Sequence, residues 1–458
     1  MTISGDSAPS PRPLEATIGP SIVWLFVAVW VSVCALTLAY NGPSPDEGVS
    51  IAAGLRTLDG HGLTDGYLGW LKGSLLWPTL AALGYRVGGL VASRYIALLL
   101  GGVAVFAVGR ATSNLFGFWP SLLAAVSLSI NGTFLAATRL AAFDVLALSA
   151  LCMAFWSITE LASTGNRTWL ILAAVAFGLT TLGKYSAGIT IIPILWLILS
   201  LRGAEARIDV GIFLFFSVAL LMTLFLPFRE QLTSPSWRVA NASLSILAET
   251  VAMSAYLGGI PLVFGAAALL ILPARRRAFP ALLGSLAIWP LLHLFLGDTQ
   301  GLFRHLALAA VFAYPLVGAV LAQLTLEAES ERGIRNAGLG LYLVIMAGIG
   351  AMQANQLSHT WPDVREAASF LMNEARAGQT LLVDPSWPYV MYLYGDGRLD
   401  SPWAVYDAHR LSSDASKEAI CSHDVFVDMG SHSGWSDQTR QRIQECEHWS
   451  PVFTTVHQ

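Results

Sequence analysis

Long apolar runs separated by short polar loops fill most of the chain. Ser21–Tyr40 is the first. Others follow at approximately 90–111, 117–132, 143–161, 168–183, 186–202, 210–228, 256–273, 280–296, 306–325 and 337–353. An apolar helix of about 20 residues crosses the roughly 30 Å hydrocarbon core of a bilayer, so the pattern predicts a polytopic α-helical membrane protein with about eleven transmembrane helices. No A-x-A-like cleavage site follows the first run, which is therefore read as a retained helix.

Three stretches depart from this rhythm. Residues 1–19 are polar and Pro/Ser-rich, as in a disordered cytoplasmic N-terminus. The first outer loop, 41–89, has structure of its own: SPDEG opens a helix running to about Leu58. SLLWPTLAALGYRVGG (74–89) is too short and too broken by Pro78 and glycines to span, and suits a helix lying in the interface. After the membrane domain, 20–354, the composition changes sharply, and 355–458 reads as a small extracytoplasmic α/β domain. In it TWPDVREAASFLMNEARAG and SDQTRQRIQECEH are helices, and TLLVD, VFVDM and PVFTTV are strands.

Composition agrees. Of 458 residues 55% are hydrophobic and 12% charged, against about 25% charged in soluble domains. A net charge of -4 with no basic tail points to no nucleic-acid partner. The basic loops around Arg110, Arg167, Arg202 with Arg207, the Arg275–Arg277 triplet, and Arg332 with Arg335 share one side with Arg12. The positive-inside rule makes that side cytoplasmic and, with an odd number of spans, places the C-terminal domain outside. There Cys421 and Cys446 fit either a disulfide or two free thiols.

Basic residues also fall on the outer side: Arg56, Lys72, Arg86, Arg139, Lys184, Arg229, Arg238 and Arg304. An anionic ligand at the outer surface would account for them. Only three of the 26 basic residues are lysines, so Lys184 beside an apolar segment goes against the chain's own usage.

Four outer helix ends carry ionisable groups that a membrane setting makes costly. They are Asp46 with Glu47, Arg139 with Asp144, Lys184 with Tyr185, and Arg304 with His305. Each has a plainer reading. Asp46 and Glu47 suit a helix N-terminus, Arg139 and Asp144 a local ion pair, and Lys184 and Arg304 interfacial anchors. His61 and Lys72 of the first loop are further candidates for lining a cavity, although a solvent-exposed histidine is the simpler reading of His61. Adjacent carboxylates on a helix point in different directions, and the first loop has no D-x-D, so no metal site is expected; a divalent ion bound near phosphates is the alternative.

The order of PDEGVSIAAGLRTLDGHG, LLWPTLAALGYRVGGLVASRYIALLLGGVAVFAVGRATSNLFG, FLAATRLAAFDVLALSALCMAFW, GLTTLGKYSAGITIIPILWLIL and FRHLALAAVFAYPLVGAVL resembles the landmarks of the GT-C glycosyltransferases. The group most similar is that of the protein O-mannosyltransferases and lipid A aminoarabinose transferases, and the resemblance covers roughly 20–325. It implies a hexosyl- or pentosyltransferase of the bacterial inner (plasma) membrane. Such an enzyme moves a sugar from a polyprenyl-phosphate donor to a lipid, glycan or protein acceptor of the cell envelope, on the outer face.

On that pattern Asp46 matches the general base and Glu47 its acidic neighbour, which helps hold the acceptor. Lys184 matches the basic residue of a T-K-G-P-like motif that contacts the donor phosphate, and Arg304 the arginine near that phosphate. Tyr185 and His305 stand where the chain departs from the family, with GKYS for Lys-Gly-Pro and FRH where an aromatic usually follows the arginine. An anionic leaving group needs positive charge rather than a proton, whereas an attacking hydroxyl needs a base. Attack opposite the phosphate inverts the anomeric centre, and the activated donor makes a nucleotide or redox cofactor unnecessary. The rival reading is a polytopic transporter or flippase for an anionic lipid, which predicts interrupted half-helices and an internal repeat; neither is visible.

Overall fold

The structure is a computed structural model. It describes residues 13–61, 76–226, 244–271, 278–297, 299, 301–326, 332–374, 379–383, 386–395, 397–399, 405–407, 421–427, 441 and 445–446. Arg12, Lys72, Arg229, Arg238, the Arg275–Arg277 triplet, most of SDQTRQRIQECEH and all of PVFTTV lie outside the described residues.

Helices occupy each of the eleven apolar segments. In order they are α1 Pro13–Ala35, α3 Trp77–Phe116, α4 Phe118–Ser129 with α5 Gly132–Arg139, α6 Asp144–Thr164, α7 Thr168–Gly183, α8 Ile191–Arg202, α9 Ala206–Phe225, α10 Leu244–Ile271, α11 Phe279–Leu296, α12 Leu302–Leu326 and α13 Arg332–Ser358; α2, Pro45–Leu58, lies between the first two. The first begins inside the polar N-terminal stretch.

Among the described residues seven helices are long and apolar enough to cross a bilayer, or eight if the bent pair α4 and α5 forms one span. The expected eleven also include the shorter Ser21–Ala35 and α7. The remaining difference is Tyr185–Leu224, a single apolar stretch where two spans were expected. It is interrupted at Gly203, whose φ of 56° takes it out of helical geometry. The bend of 66° between α4 and α5 has a local cause. Asn131 Oδ1 accepts from the Phe134 amide at 3.0 Å and the Thr133 hydroxyl at 2.6 Å, which starts a new helix rather than continuing the old one.

The chain divides into two compact units. One comprises Leu98–Thr138 and Asp144–Ala354 with the N-terminal segment through Leu36. Its centre is α12, buried along nearly its whole length. Small residues make that possible: a Cβ on Gly318 would meet the Pro120 carbonyl and the Ala124 amide of α4. By contrast α10 and α13 carry large exposed apolar side chains, among them Leu262, Val263, Leu341 and Val344, as lipid-facing helices do. At the start of α7, buried Asp209 accepts from Arg167 Nε at 2.9 Å and Arg202 Nε at 2.7 Å. Two basic loops expected on one side are thereby joined at one end of this unit.

The other unit comprises Thr37–Ala97, Arg139–Phe143 and the chain from Asn355 onward. The first loop and the C-terminal region, expected in separate domains, share one hydrophobic core. Val49, Ala52 and Ala53 of α2 pack with Val364, Leu371, Leu381, Val383, Tyr389 and Leu393. Glycine permits the approach: a Cβ on Gly48 would stand 2.6 Å from the Trp387 carbonyl.

The interfacial helix expected at 74–89 is the first part of α3. It ends at a break where Gly89 adopts φ 65°. The C-terminal region contributes α14 Arg365–Glu374, α15 Ser386–Gly395 and a parallel sheet in the order β2 Val405–Asp407, β1 Leu381–Val383, β3 Val425–Val427. Both α15 and β2 went unrecognised in the sequence. Thr380 donates its amide at 2.7 Å and its hydroxyl at 3.0 Å to Asp424, and these bonds hold that carboxyl below its ordinary range. Cys421 and Cys446 form a disulfide with a Cα–Cα distance of 5.7 Å.

Candidate active site

In the second unit, α2 starts with a capping box. Ser44 accepts from the Glu47 amide at 3.2 Å, and Glu47 Oε2 accepts from the Ser44 amide at 2.9 Å. Capping is thus real, and Glu47 performs it. The same carboxylate meets Arg94 in a bidentate pair, with Nε to Oε1 at 2.8 Å and Nη2 to Oε2 at 2.8 Å, and Oε1 also accepts from the Ala141 amide at 2.8 Å. Each oxygen therefore accepts two hydrogen bonds.

Arg94 is equally saturated. Nη1 donates to Leu38 and Asn41 carbonyls and Nη2 to that of Gly42, each at 2.9 Å, so all five N–H groups are used. Both side chains are fully buried. This enclosure corrects the substrate-holding role expected of Glu47: it secures the helix that carries Asp46.

Asp46, the next residue toward the N-terminus, stays partly exposed. Burial thus separates two neighbouring acids into a supporting one and an accessible one.

Arg139 belongs to the same unit. It donates to the Thr37 carbonyl at 2.8 Å and hydroxyl at 2.9 Å, and with Arg94 it flanks the Tyr40 ring, the two guanidinium carbons lying 4.7 and 4.4 Å from its centroid. It therefore braces the 37–40 segment, where the two readings offered were a place in a cavity lining and a local ion pair with Asp144. His61 is exposed just past α2, as the simpler reading has it.

In the first unit, Asp144 opens α6 and is buried. Its Oδ1 lies 2.5 Å from Lys184 Nζ and its Oδ2 3.3 Å from Arg304 Nη1. Lys184 reaches it because α7 ends at Gly183, where a Cβ would stand 2.8 Å from the Ala147 amide of α6. Only glycine lets the chain pass so close. Lys184 itself is buried and extended (φ -155°, ψ 106°), leading into a 3-10 turn, Tyr185–Thr190, in which Tyr185 is half-buried.

Asp144 thus brings two cations to one buried carboxylate. The open side of this cluster is Arg304, whose side chain is 18% exposed against 7% for Lys184. Beside Arg304, His305 Nδ1 lies 2.7 Å from His293 Nε2, and Trp289 stacks on its ring at 4.2 Å.

Sequence reasoning passed over Arg94 and His293. Each had a signal: an ionisable residue inside an otherwise apolar segment must find a partner. Among the described residues no three His, Cys, Asp or Glu side chains gather as metal ligands would.

Known proteins resemble this fold. The family model described as dolichyl-phosphate-mannose-protein mannosyltransferase matches residues 74–229. ArnT from Cupriavidus metallidurans bound to undecaprenyl phosphate is similar with a TM-score of 0.60 at 15% identity, covering 86% of this chain and 90% of that one. The mycobacterial arabinofuranosyltransferase AftD gives 0.52 at 16% identity, covering 78% of this chain and 29% of the larger protein. The Archaeoglobus fulgidus oligosaccharyltransferase in its apo form gives 0.50 at 12% identity, covering 84% and 64%. No curated protein matches by sequence. Fold and family match together define an integral, multi-pass membrane protein. In fold the chain is similar to these GT-C membrane glycosyltransferases.

Proposed function

We propose that the protein transfers a sugar from a polyprenyl-phosphate donor to a hydroxyl acceptor on the outer face of the membrane, with inversion. The observation that carries this reading is the convergence of Lys184 and Arg304 on one buried carboxylate within a GT-C-like fold, with Arg304 partly exposed. Such a cluster is suited to one lipid phosphate. The relatives support the donor class, since one is named for dolichyl-phosphate-mannose and another was solved with undecaprenyl phosphate.

In the reaction the acceptor oxygen attacks the anomeric carbon as the bond from that carbon to the phosphate oxygen breaks. The bonding pair stays on the phosphate, where Lys184 and Arg304 meet it, and Asp46 takes the acceptor's proton. The Cys421–Cys446 disulfide supports an oxidising compartment for the C-terminal region. Arg167 and Arg202, joined by Asp209 at the far end of α7 from Lys184, support a cytoplasmic position for that end.

The test is transfer from labelled polyprenyl-phosphate sugars by membranes containing the protein. Asp46→Asn is expected to lower the rate by about 100-fold or more at unchanged expression. Undiminished transfer would remove Asp46 from the mechanism.

A further inference from the structure

Two buried donors of the second unit have no hydrogen-bond partner among the described residues, the hydroxyl of Tyr40 and Nε of Arg139. They belong to one contact, because the Arg139 guanidinium carbon lies 4.7 Å from the centroid of the Tyr40 ring. A polar group buried without a partner is unfavourable and calls for a reason, such as a ligand. Two such donors on stacked side chains call for the same one.

Charge gives that ligand its sign. Glu47 is matched by Arg94, whereas among the described residues no carboxylate forms an ion pair with Arg139. Its Nη2 is held by neutral oxygens, the carbonyl and hydroxyl of Thr37. A half-buried guanidinium without a counter-charge, beside a phenol that can donate, suits an anion with several oxygens, a phosphate or a carboxylate.

Position says which substrate brings the anion. Arg94 also lies on the Tyr40 ring, 4.4 Å from its centroid. It binds the carbonyls of Leu38, Asn41 and Gly42 while it grips Glu47. One side chain therefore fixes Tyr40 beside the start of α2, where Asp46 stands. An anion that approaches a carboxylate base is repelled unless a cation meets it, and Arg139 supplies the cation.

Resting on the proposed function, we infer that Arg139 and Tyr40 form an anion-binding subsite for the acceptor. The acceptor accordingly carries a phosphate or a carboxylate close to the hydroxyl from which Asp46 takes the proton. Its anionic oxygens accept from the Arg139 guanidinium and the Tyr40 hydroxyl.

Tyr40→Phe is the informative variant, because the ring and both its guanidinium contacts remain. Removing a buried hydroxyl that has no partner should leave the unfolding temperature unchanged or raise it. Removing a donor to an anion should weaken binding by about tenfold. Purified full-length protein is first saturated with polyprenyl phosphate, which occupies the Lys184 and Arg304 cluster. It is then titrated with glycerol phosphate, glucuronate and uncharged glucose. Wild type is expected to bind one of the two anionic probes about tenfold or more tighter than glucose, and which one tells a phosphate-bearing from a carboxylate-bearing acceptor. Tyr40→Phe should lose about tenfold for that probe, Arg139→Gln should lose the preference for the anion, and both should keep the wild-type affinity for polyprenyl phosphate.

Equal binding of glucose and both anions by the wild type would overturn the inference. So would wild-type anion affinity in Tyr40→Phe, the result expected if an ordered water alone satisfies the hydroxyl. A fall in polyprenyl phosphate affinity in Tyr40→Phe and Arg139→Gln would give the subsite to the donor instead. Failure of the proposed donor class shows separately, as a wild type that does not bind polyprenyl phosphate, and the anion preference with its dependence on Tyr40 is measured all the same.

Discussion

Glu47 and Arg94 form a bidentate ion pair with no solvent exposure on either side. Every donor and both acceptor atoms are occupied, so the pair acts as a junction. It joins the 38–42 segment, the start of α2, the middle of α3 and the backbone at Ala141. Burying two charges is unfavourable in itself, and removing one partner leaves the other uncompensated.

Glu47→Gln and Arg94→Gln are therefore expected to lower stability by roughly 3–5 kcal/mol each, whereas Asp46→Asn, on a partly exposed side chain, should leave it nearly unchanged. Arg94→Lys should not rescue, because an ammonium cannot reproduce the planar five-donor fork. Thermal unfolding of the purified protein in detergent distinguishes these outcomes. Wild-type unfolding for Arg94→Gln would show that the junction is dispensable.

Lys184 and Arg304 share Asp144 unequally, at 2.5 and 3.3 Å, and the more distant partner is also the more exposed. Lys184→Met leaves a buried carboxylate with its weaker partner, so roughly 3–5 kcal/mol of stability should be lost. Arg304→Met should cost less, about 1–2 kcal/mol, yet reduce affinity for polyprenyl phosphate. Unfolding and lipid-phosphate binding measured on both variants separate the roles. If both lose stability equally and bind equally, the division of labour is wrong.

Much of this architecture could be read from the chain. Apolar run length predicts membrane helices because the bilayer imposes a length, and those helices are present. The break at Gly88–Gly89 falls where the interfacial segment was expected to end. Asp46, Lys184 and Arg304 stand out as ionisable groups at apolar boundaries.

Partners were harder to read. A local ion pair with Arg139 was one of the readings open for Asp144, but its partners come from 40 and 160 residues away. The joining of α2 to the C-terminal region depends on packing across more than 300 residues of sequence. No local pattern encodes such a contact.

Gly183 is where a single methyl group should matter. A Cβ there would stand 2.8 Å from the Ala147 amide and 3.1 Å from its Cα, both backbone atoms that cannot swing aside. Gly183→Ala is expected to cost about 1–3 kcal/mol and to displace Lys184 from Asp144. It should weaken polyprenyl phosphate binding as Lys184→Met does, without altering a charged residue. Wild-type stability and affinity in Gly183→Ala would refute the close-approach argument.

The disulfide makes the sidedness of the C-terminal region measurable. Cys421 and Cys446 are 25 residues apart in sequence, a loop for which closure entropy predicts about 3 kcal/mol of stabilisation. Cys34 and Cys152 are buried and outside the disulfide, so a membrane-impermeant maleimide should not reach them. On intact cells the reagent is expected to label nothing until a mild reductant is added, and then to label Cys421 and Cys446. Cys421→Ser should leave Cys446 reactive from outside even without reductant, and lower the unfolding temperature. If labelling appears only after the membrane is opened, the domain is cytoplasmic. The outer-face chemistry proposed for Asp46, Lys184 and Arg304 would then have to be reversed with it.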